Sequence, residues 1–299
     1  MKIRIIFAIS FLCVLSVGCE KYDEYIKDYK YSGVYFATQK PLRTIVSYDD
    51  EMNFKVGVAL GGKRANAVNE YADFEIDPSL LDDEAVVGNN DFQLMPSQYY
   101  TLSDDSRMEI PAGAFIGDIT VTLDKAKFTS DTLSTGNNFA IPLRITNTST
   151  DTILADKSFS ILVVKYISQY HGTYYHRGVQ TEVDANGDTV EETVYSDDDL
   201  IKNETWNVGT IDDTTVLTPK AGTFGNGKLR LNVDENSYDV TITSNNNNIE
   251  ITEESGTYNL EGREFYLDYN FTRNNKMYQV SDTLVLRQAP EKDLYFEEW

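Results

Sequence analysis

The chain has 299 residues, of which 41% are hydrophobic and 12% are aromatic, enough for one or two domains with cores of their own. Its 48 acidic and 26 basic residues give a formal net charge of −22, which argues against nucleic acid or an anionic lipid surface as a partner. A solvated acidic surface that keeps the protein soluble is sufficient to explain most of these charges.

Residues 1–18 have the pattern of a secretory signal peptide. Lys2 and Arg4 precede the apolar run 5–17, which is too short to span a bilayer comfortably, and Gly18 ends the segment. A buried N-terminal strand or helix of the mature fold is the alternative. The abrupt change to polar sequence after this segment argues against it, so we expect the signal peptide to be removed.

The residues around the cleavage point, Ser-Val-Gly-Cys at 16–19, resemble the lipobox of bacterial lipoproteins, although Ser16 stands where leucine is usual. The resemblance implies that Cys19 becomes the N-terminus and carries a thioether-linked diacylglycerol, often with a further acyl chain. Cys13 lies inside the signal, so the mature chain is predicted to contain no disulfide. Attachment to the membrane is therefore expected through lipid only.

Residues 19–30 are polar, acidic and rich in tyrosine, and we interpret them as a tether. The sequence Lys-Tyr-Asp-Glu at 21–24 resembles the acidic export signal of surface-exposed lipoproteins of the Bacteroidetes group. This resemblance implies an outer-membrane lipoprotein that faces the cell exterior.

Residues 31–166 are predicted to form the first domain, because short alternating and β-branched segments recur between turn signals. One exception is 77–81, where proline after Asp77 predicts a helical turn. This pattern favours an antiparallel sandwich of immunoglobulin-like character. The predicted strands include 33–37, 52–60, 74–76, 107–110, 118–123, 139–145 and 159–164.

Residues 167–299 are predicted to form a second all-β domain. Asn186 and Gly187 favour a tight hairpin turn within 184–188, and a last hairpin is expected across 272–276. A meander with this many strands closes most easily into a barrel, lipocalin-like, or a curled sheet, and the sequence leaves both open. The other predicted strands are 206–211, 216–218, 228–233, 238–242, 248–252, 264–271 and 278–287.

The first domain resembles the domain of unknown function 1735 (DUF1735), the N-terminal immunoglobulin-like module of many Bacteroides surface lipoproteins. This resemblance implies a spacer or presentation domain and no activity of its own. Four segments in the family's order are similar to it: 77–81, 94–102, 110–113 and 141–146.

The second domain resembles DUF4361, which commonly follows DUF1735. The similar segments are 172–178, 265–269 and 282–287, together with Tyr278. The pair of modules resembles lipoproteins of polysaccharide utilisation, which implies glycan capture at the cell surface with an oligosaccharide or polysaccharide as ligand. It also implies a SusC/SusD-like outer-membrane complex as a partner.

No motif predicts catalysis, a metal or a cofactor. His171 and His176 are the two histidines, and their spacing on a strand directs them to opposite faces, so a structural hydrogen-bonding role is favoured. The run 197–199, three aspartates, could help to bind calcium, but a solvated acidic loop is the favoured interpretation. Nucleophile, zinc and phosphate-loop motifs are missing from the sequence.

Aromatic residues are the most promising candidates for a ligand site, because sugar rings stack their apolar faces on exposed aromatic rings. Ordinary packing is the alternative for each one, and two of the candidates belong to a motif that resembles DUF1735. The candidates are Trp206, Tyr174, Tyr195, Tyr99 and Tyr100.

Three hypotheses for function follow. The first is a non-catalytic cell-surface lipoprotein that binds glycan for a polysaccharide-utilisation system. The second is a structural or adhesive surface lipoprotein with a protein partner. A glycoside hydrolase, or an accessory protein to one, is third, because sequence spacing does not reveal the paired carboxylates that such an enzyme needs.

Overall fold

The structure is a computed structural model that describes residues 29–48 and 52–299. Within these residues the fold is all-β, as expected, with two short helices, α1 (Glu84–Val87) and α2 (Lys125–Ser130). The strands of the first domain are β1 (Gly33–Phe36), β2 (Pro41–Ser47), β3 (Asn53–Gly61), β4 (Glu70–Ile76), β5 (Gln93–Leu94), β6 (Tyr100–Leu102), β7 (Arg107–Ile110), β8 (Ile116–Leu123), β9 (Phe139–Thr148), β10 (Thr152–Ile153) and β11 (Phe159–Ser168).

The first domain is a two-sheet sandwich, as the sequence predicted, but it is not antiparallel throughout: β2 pairs in parallel with β11, β1 with β10 and β5 with β9. One sheet has the order β10-β1-β3-β8-β6, and the other contains β2-β11-β9-β4-β7 with β5 alongside β9. Both sheets contribute to one core: Val58 and Val121 come from the first sheet, and Ile141 and Val164 from the second. Burial of this shared apolar face is the main stabilising term of the domain.

A second apolar cluster covers the outer face of β9 and β11. Ile161 and Val163 point away from the main core and pack with Leu80, Val87 and Phe92 from the segment between β4 and β5. β11 is therefore buried on both faces, which explains why its sequence is a continuous apolar run instead of an alternating one.

The predicted helical turn is confirmed as a 3-10 helix over Pro78–Leu81. The Asp77 carboxylate caps it by accepting a hydrogen bond from the Ser79 backbone N–H at 3.1 Å, and Pro78 occupies a first-turn position where no N–H is needed.

The second domain is one antiparallel sheet of nine strands in the order β17-β16-β15-β14-β12-β20-β19-β18, with β13 beside β12. Its ends meet at an isolated bridge between Asp239 and Thr257, so the sheet curls until it nearly closes. The strands are β12 (Gly172–Val183), β13 (Thr189–Val194), β14 (Glu204–Thr210), β15 (Thr215–Leu217), β16 (Leu229–Val233), β17 (Val240–Ser244), β18 (Glu250–Asn259), β19 (Glu264–Arg273) and β20 (Lys276–Leu286).

Both predicted hairpins are confirmed, although the first is not closed by a primed Asn-Gly turn: its loop spans 184–188, and Gly187 but not Asn186 has a positive φ. The turn between β12 and β13 is closed by the Asp184 N–H, which donates to the Asp188 carbonyl at 2.9 Å, and Gly187 has a φ of 87°. The turn between β19 and β20 has Asn274 and Asn275 at φ values of 51° and 59°, the left-handed conformation that a two-residue turn requires.

The chain ends in the sheet of the first domain. The last strand, β21 (Glu297–Glu298), pairs antiparallel with Pro41 and Leu42 of β2. Trp299 then packs edge-on against Phe92 with ring centroids 4.6 Å apart, and its indole N–H donates to the Ile161 carbonyl at 2.7 Å. The two domains are thereby connected at both ends of the second one.

Candidate functional site

Three of the five aromatic residues predicted to bind ligand lie in the cores. Trp206 is 1% exposed and Tyr174 is fully buried, and both belong to the core of the second domain. The Tyr174 hydroxyl donates to the Tyr170 carbonyl at 2.8 Å. Tyr100 is buried in the first domain. These rings have no free face for a sugar, because neighbouring side chains already cover them.

Tyr99 and Tyr195 are half-buried, and the hydroxyl of each is occupied by an aspartate. Tyr99 donates to Asp131 Oδ2 at 3.0 Å, and Tyr195 donates to Asp282 Oδ1 at 2.6 Å. Tyr99 lies in the first domain and Tyr195 in the second, so the structure does not bring the five candidates together into one site.

Tyr195 belongs to a buried polar cluster built around Asp282. The Asp282 carboxylate, fully shielded from solvent, also contacts His176 Nε2 at 2.9 Å and accepts from the Tyr269 hydroxyl at 2.8 Å. Burial, reinforced by the charge of Asp282, raises the pKa of Tyr195 and of Tyr269. Both phenols therefore stay protonated and act as donors to the carboxylate.

Both histidines take part in hydrogen bonds, as expected, although only His176 lies on a strand, because β12 begins at Gly172, after His171. His176 makes the contact with Asp282, while His171 Nδ1 accepts a hydrogen bond from the Thr210 N–H at 3.2 Å. The Asp282 cluster joins β12, β19 and β20, and the Tyr269 hydroxyl accepts from the Gly222 N–H at 2.7 Å in the loop after β15. A carboxylate enclosed in this way organises the interior of the sheet and cannot reach a ligand.

The described part of the chain has no group of three or more His, Cys, Asp or Glu side chains placed to hold a metal ion. The run 197–199 is instead organised by Asn203, whose side-chain amide donates to the backbone carbonyls of Asp197, Asp199 and Leu200. This arrangement agrees with a structural acidic loop.

An accessible site is built on the opposite face of β12, β20, β19 and β18. Successive side chains of a strand alternate between faces, so residues in register across the four strands form rows on the outer surface. We call the twelve residues of three such rows the polar face: Arg177, Thr283, Tyr266 and Thr257; Val179, Ser281, Asp268 and Ser255; and Thr181, Gln279, Asn270 and Glu253.

The polar face contains a groove of ≈ 530 Å³. Asp268, Asn270 and Gln279 line it with carboxylate and amide groups, and Ser281 and Ser255 add hydroxyls. Asn270 Nδ2 donates to Glu253 Oε2 at 2.8 Å, which fixes the orientation of both side chains. Four strands spaced about 4.8 Å apart give a surface about 14 Å wide. It therefore offers hydrogen-bonding groups to an extended polar ligand.

Tyr266 supplies an aromatic ring next to these groups. Its side chain is 42% exposed, and its hydroxyl donates to the Glu264 carboxylate two residues earlier on the same face. That hydrogen bond, with some desolvation, raises the pKa of Tyr266, while the positive charge of Arg177 opposes the shift. The hydrogen bond to Glu264 thus holds the ring in place, close to Arg177 and to the polar groups of the groove.

Tyr266 was not among the sequence-based candidates, although the sequence contains a signal for it. In β19 the residues alternate strictly: Phe265, Leu267, Tyr269 and Phe271 are buried, so Tyr266 must point outward. The large number of tyrosines in the chain does not distinguish Tyr266, but the two-residue period of the strand does, because it separates outward from buried side chains.

A second cleft, of ≈ 370 Å³, lies where the two domains meet. His171, Thr173, Asn207 and Arg287 line it, and Arg287 forms an ion pair with Asp293 at 3.3 Å. No aromatic ring other than the imidazole is among the described residues that line this cleft. The polar face is therefore the better candidate for a site that recognises sugar.

Comparison with known proteins supports this architecture. A family model of an N-terminal domain matches residues 28–152. The solved structure of a protein of unknown function from Bacteroides ovatus has a TM-score of 0.74 and 26% identity, covering 91% of this chain and 99% of that chain. A similar fold over 91% of this chain thus occurs in a Bacteroides protein.

Two further structures from the same organism are more distant. One, also of unknown function, has a TM-score of 0.45 and 13% identity, and covers 90% of this chain and 100% of its own. The other, described as a multidomain protein including DUF1735, has a TM-score of 0.45 and 12% identity with the same coverage. No curated protein matches the chain.

Neither short helix of the described residues, nor any other helix there, has the length and apolar character needed to cross a membrane.

Proposed function

We propose that the protein is a non-catalytic, cell-surface lipoprotein that binds glycan through the polar face of its second domain. This proposal rests on one observation above all: the exposed Tyr266 ring lies in register with Arg177 and with the hydroxyls of Thr283 and Thr257, and the next rows of the same face carry carboxylate, amide and hydroxyl groups. The buried aromatic residues that the sequence suggested are not part of it.

The chemistry of the face fits a sugar. The apolar C–H face of a pyranose ring stacks on an exposed aromatic ring, and its hydroxyls both donate and accept hydrogen bonds. Asp268 offers acceptors, Ser281 offers both functions, and Asn270 and Gln279 offer amide groups on the adjacent row. Because the groove is open, binding along a chain is favoured over enclosure of one monosaccharide.

The negative charge of the protein argues against an acidic glycan as the ligand. Glu253 and Asp268 lie on the face, and the chain has a net charge of −22. A polysaccharide with uronic acid or sulfate groups would be repelled by this surface. We therefore propose a neutral oligosaccharide or polysaccharide as the ligand.

The absence of catalysis is part of the proposal. Asp282 is enclosed by His176, Tyr195 and Tyr269 and cannot contact a glycosidic bond. Glu253 is held by Asn270 on an open surface, without the cleft that a pair of catalytic carboxylates requires. Incubation of the pure protein with the glycan that it binds should release no reducing ends.

Membrane attachment and the wider setting complete the proposal. Cys19 lies outside the described residues, and its lipidation is inferred from the resemblance of 16–19 to a lipobox. The resemblance of the modules to DUF1735 and DUF4361 supports a place in a polysaccharide-utilisation system. There, the captured glycan would pass to a SusC/SusD-like outer-membrane complex, with the protein facing the cell exterior.

A glycan-array screen of the region 20–299, followed by affinity electrophoresis in gels that contain the matching polysaccharides, tests the proposed function. We expect retardation by at least one neutral polysaccharide and none by strongly acidic ones. Failure to bind across a broad panel of neutral glycans, with the protein folded, would overturn the proposal in favour of a structural or adhesive role.

A further inference from the structure

Among the residues that the structure describes, strand β13 pairs with β12 alone, so it is an edge strand with one open side. All six of its residues, Thr189–Val194, are exposed. Among the described strands, those at the ends of the two first-domain sheets are short, with two residues in β10 and β21, three in β6 and four in β7. The end strands of the second-domain sheet, β17 and β18, are bridged to each other. Short or covered edges are the usual protection against unwanted pairing, and β13 lacks that protection.

The hydrogen bonds at the end of β13 show which backbone groups are available. Gly178 and Tyr195 exchange two backbone hydrogen bonds, at 3.4 Å and 3.0 Å. In an antiparallel ladder such pairs alternate with pairs whose N–H and C=O groups point away from each other. Val194 and Glu192 occupy the alternate positions, opposite Val179 and Thr181, so their backbone groups are directed to the open edge.

The side chains of this edge include exposed aliphatic groups. Val190 and Val194 are 60% and 63% exposed, although β-branched residues in strands usually pack against a neighbour. An added strand would cover part of this surface while it satisfied the open backbone groups.

The open edge is also fixed in position. The Tyr195 hydroxyl, one residue beyond β13, donates to Asp282 in the buried cluster, and its ring stacks on His176 with centroids 4.8 Å apart. This anchor lowers the entropy cost of binding, because the template strand is already ordered before a partner arrives.

Charge indicates what kind of partner fits. Residues 184–199 contain seven acidic side chains and no lysine, arginine or histidine. Lys276 pairs with Glu182 and Lys202 with Asp199, and both lysines lie outside this segment. A second copy of this acidic chain would place like charges side by side, which is unfavourable, whereas a cationic strand would be attracted.

We propose that β13 is a docking edge for an extended, basic segment of a partner protein, which adds to the sheet as a further strand next to Glu192 and Val194. Main-chain hydrogen bonds would supply affinity, and alternating basic side chains would supply selectivity. This interaction is independent of glycan binding, since it uses the edge of the sheet and not the polar face.

The test uses two ten-residue peptides, one alternating threonine with lysine and the other threonine with glutamate, in fluorescence-anisotropy titrations of the region 20–299. We expect the lysine peptide to bind, with affinity that falls as salt rises, and the glutamate peptide not to bind. Hydrogen exchange of the wild-type protein should show protection at the amides of Glu192 and Val194 when the lysine peptide is bound.

A matched pair of variants separates backbone pairing from charge. Glu192→Pro removes the outward N–H at an edge position where proline is tolerated, and should weaken binding about tenfold, whereas Glu192→Gln keeps the N–H and should weaken it only about two- to threefold. Equal binding of both peptides, or protection at other amides only, would overturn the proposal. So would a wild-type dimer in ultracentrifugation that dissociates in Glu192→Pro, because the edge would then serve a second copy.

Discussion

The indole ring of Trp206 stacks on the imidazole ring of His176, with centroids 3.6 Å apart. Tyr195 covers the other side of the imidazole, and His176 Nε2 contacts the Asp282 carboxylate. Trp206 and Tyr195, which the sequence suggested as sugar-binding residues, therefore enclose a buried histidine–aspartate pair. Their role is to shield a polar cluster inside the second domain from solvent. Hydrogen bonds are stronger in this low-dielectric interior than they are in water.

Substitution of Asp282 should strongly destabilise the second domain. Asp282→Ala leaves His176, Tyr195 and Tyr269 without their shared acceptor, and we expect a loss of about 3–5 kcal/mol in the free energy of unfolding. Asp282→Asn keeps the shape and one oxygen and should cost less. Urea unfolding followed by tryptophan fluorescence, which reports on the buried Trp206, measures the change.

The control for Asp282 is Asp268→Ala on the neighbouring strand. Asp268 is exposed and lies opposite Ser281, so its removal should change the free energy of unfolding by less than about 0.5 kcal/mol. Similar losses for the two variants would show that the buried cluster has no special part in stability.

The first domain should lose stability on acidification through Glu70. Lys63 donates to Glu70 Oε1 at 2.7 Å and Ser149 to Oε2 at 2.6 Å, and these hydrogen bonds, Lys63 first, lower the pKa of this buried carboxyl. A folded-state pKa below the unfolded value of about 4.3 gives stability that is present above that pH and is lost as the pH falls towards the folded-state pKa.

The midpoint of thermal unfolding, measured from about pH 6 down to about pH 3, checks this linkage. Glu70→Gln should show a smaller decrease over that range than the wild type, although it starts from a lower midpoint. Glu75→Gln, an exposed glutamate of the same strand, should keep the wild-type slope. An unchanged slope in Glu70→Gln would contradict the role of this carboxylate.

Trp299 should stabilise the first domain although it lies at the end of the second. Trp299→Ala removes the contact with Phe92, the hydrogen bond to Ile161 and the interaction with Lys40, whose ammonium lies 4.8 Å from the ring centroid. We expect a loss of about 2–3 kcal/mol in the free energy of unfolding. Phe296→Ala, at an exposed ring nearby, should cost well under half as much.

Membrane attachment should depend on Cys19. Cys19→Ser removes the thiol that the lipobox resemblance implies is modified, so metabolic labelling with a radioactive fatty acid should disappear and the protein should leave the membrane fraction. Cys13→Ser, within the same signal segment, should label normally. Persistent labelling of Cys19→Ser would contradict lipidation at this position.

Strand periodicity made much of the fold predictable. The alternation in 264–271 and 278–287 predicted the β19–β20 hairpin across 272–276, since local sequence determines which face of each strand is buried. Likewise, Asp77 and Pro78 predicted their helical turn, because the cap acts within two residues. Such features depend on neighbours in the chain.

The long-range contacts and the site could not be predicted in the same way, because they join residues that are distant in sequence. His176 and Asp282 are 106 positions apart, and Ile161 and Trp299 are 138 apart. Trp206 attracted attention as a large aromatic residue, yet sequence does not show whether a distant histidine will cover it. The alternation within β19 places Tyr266, Asp268 and Asn270 on one face, but only the register of four strands reveals which groups of the adjacent strands lie beside them.

Isothermal titration calorimetry of Tyr266→Ala, with the neutral glycan that the array identifies, tests glycan binding by the polar face most directly. Loss of the stacking ring should weaken binding at least tenfold, which corresponds to about 1.4 kcal/mol, while Tyr295→Ala, at an exposed tyrosine outside the polar face, should bind like the wild type. Wild-type affinity in a correctly folded Tyr266→Ala variant would contradict the proposed site.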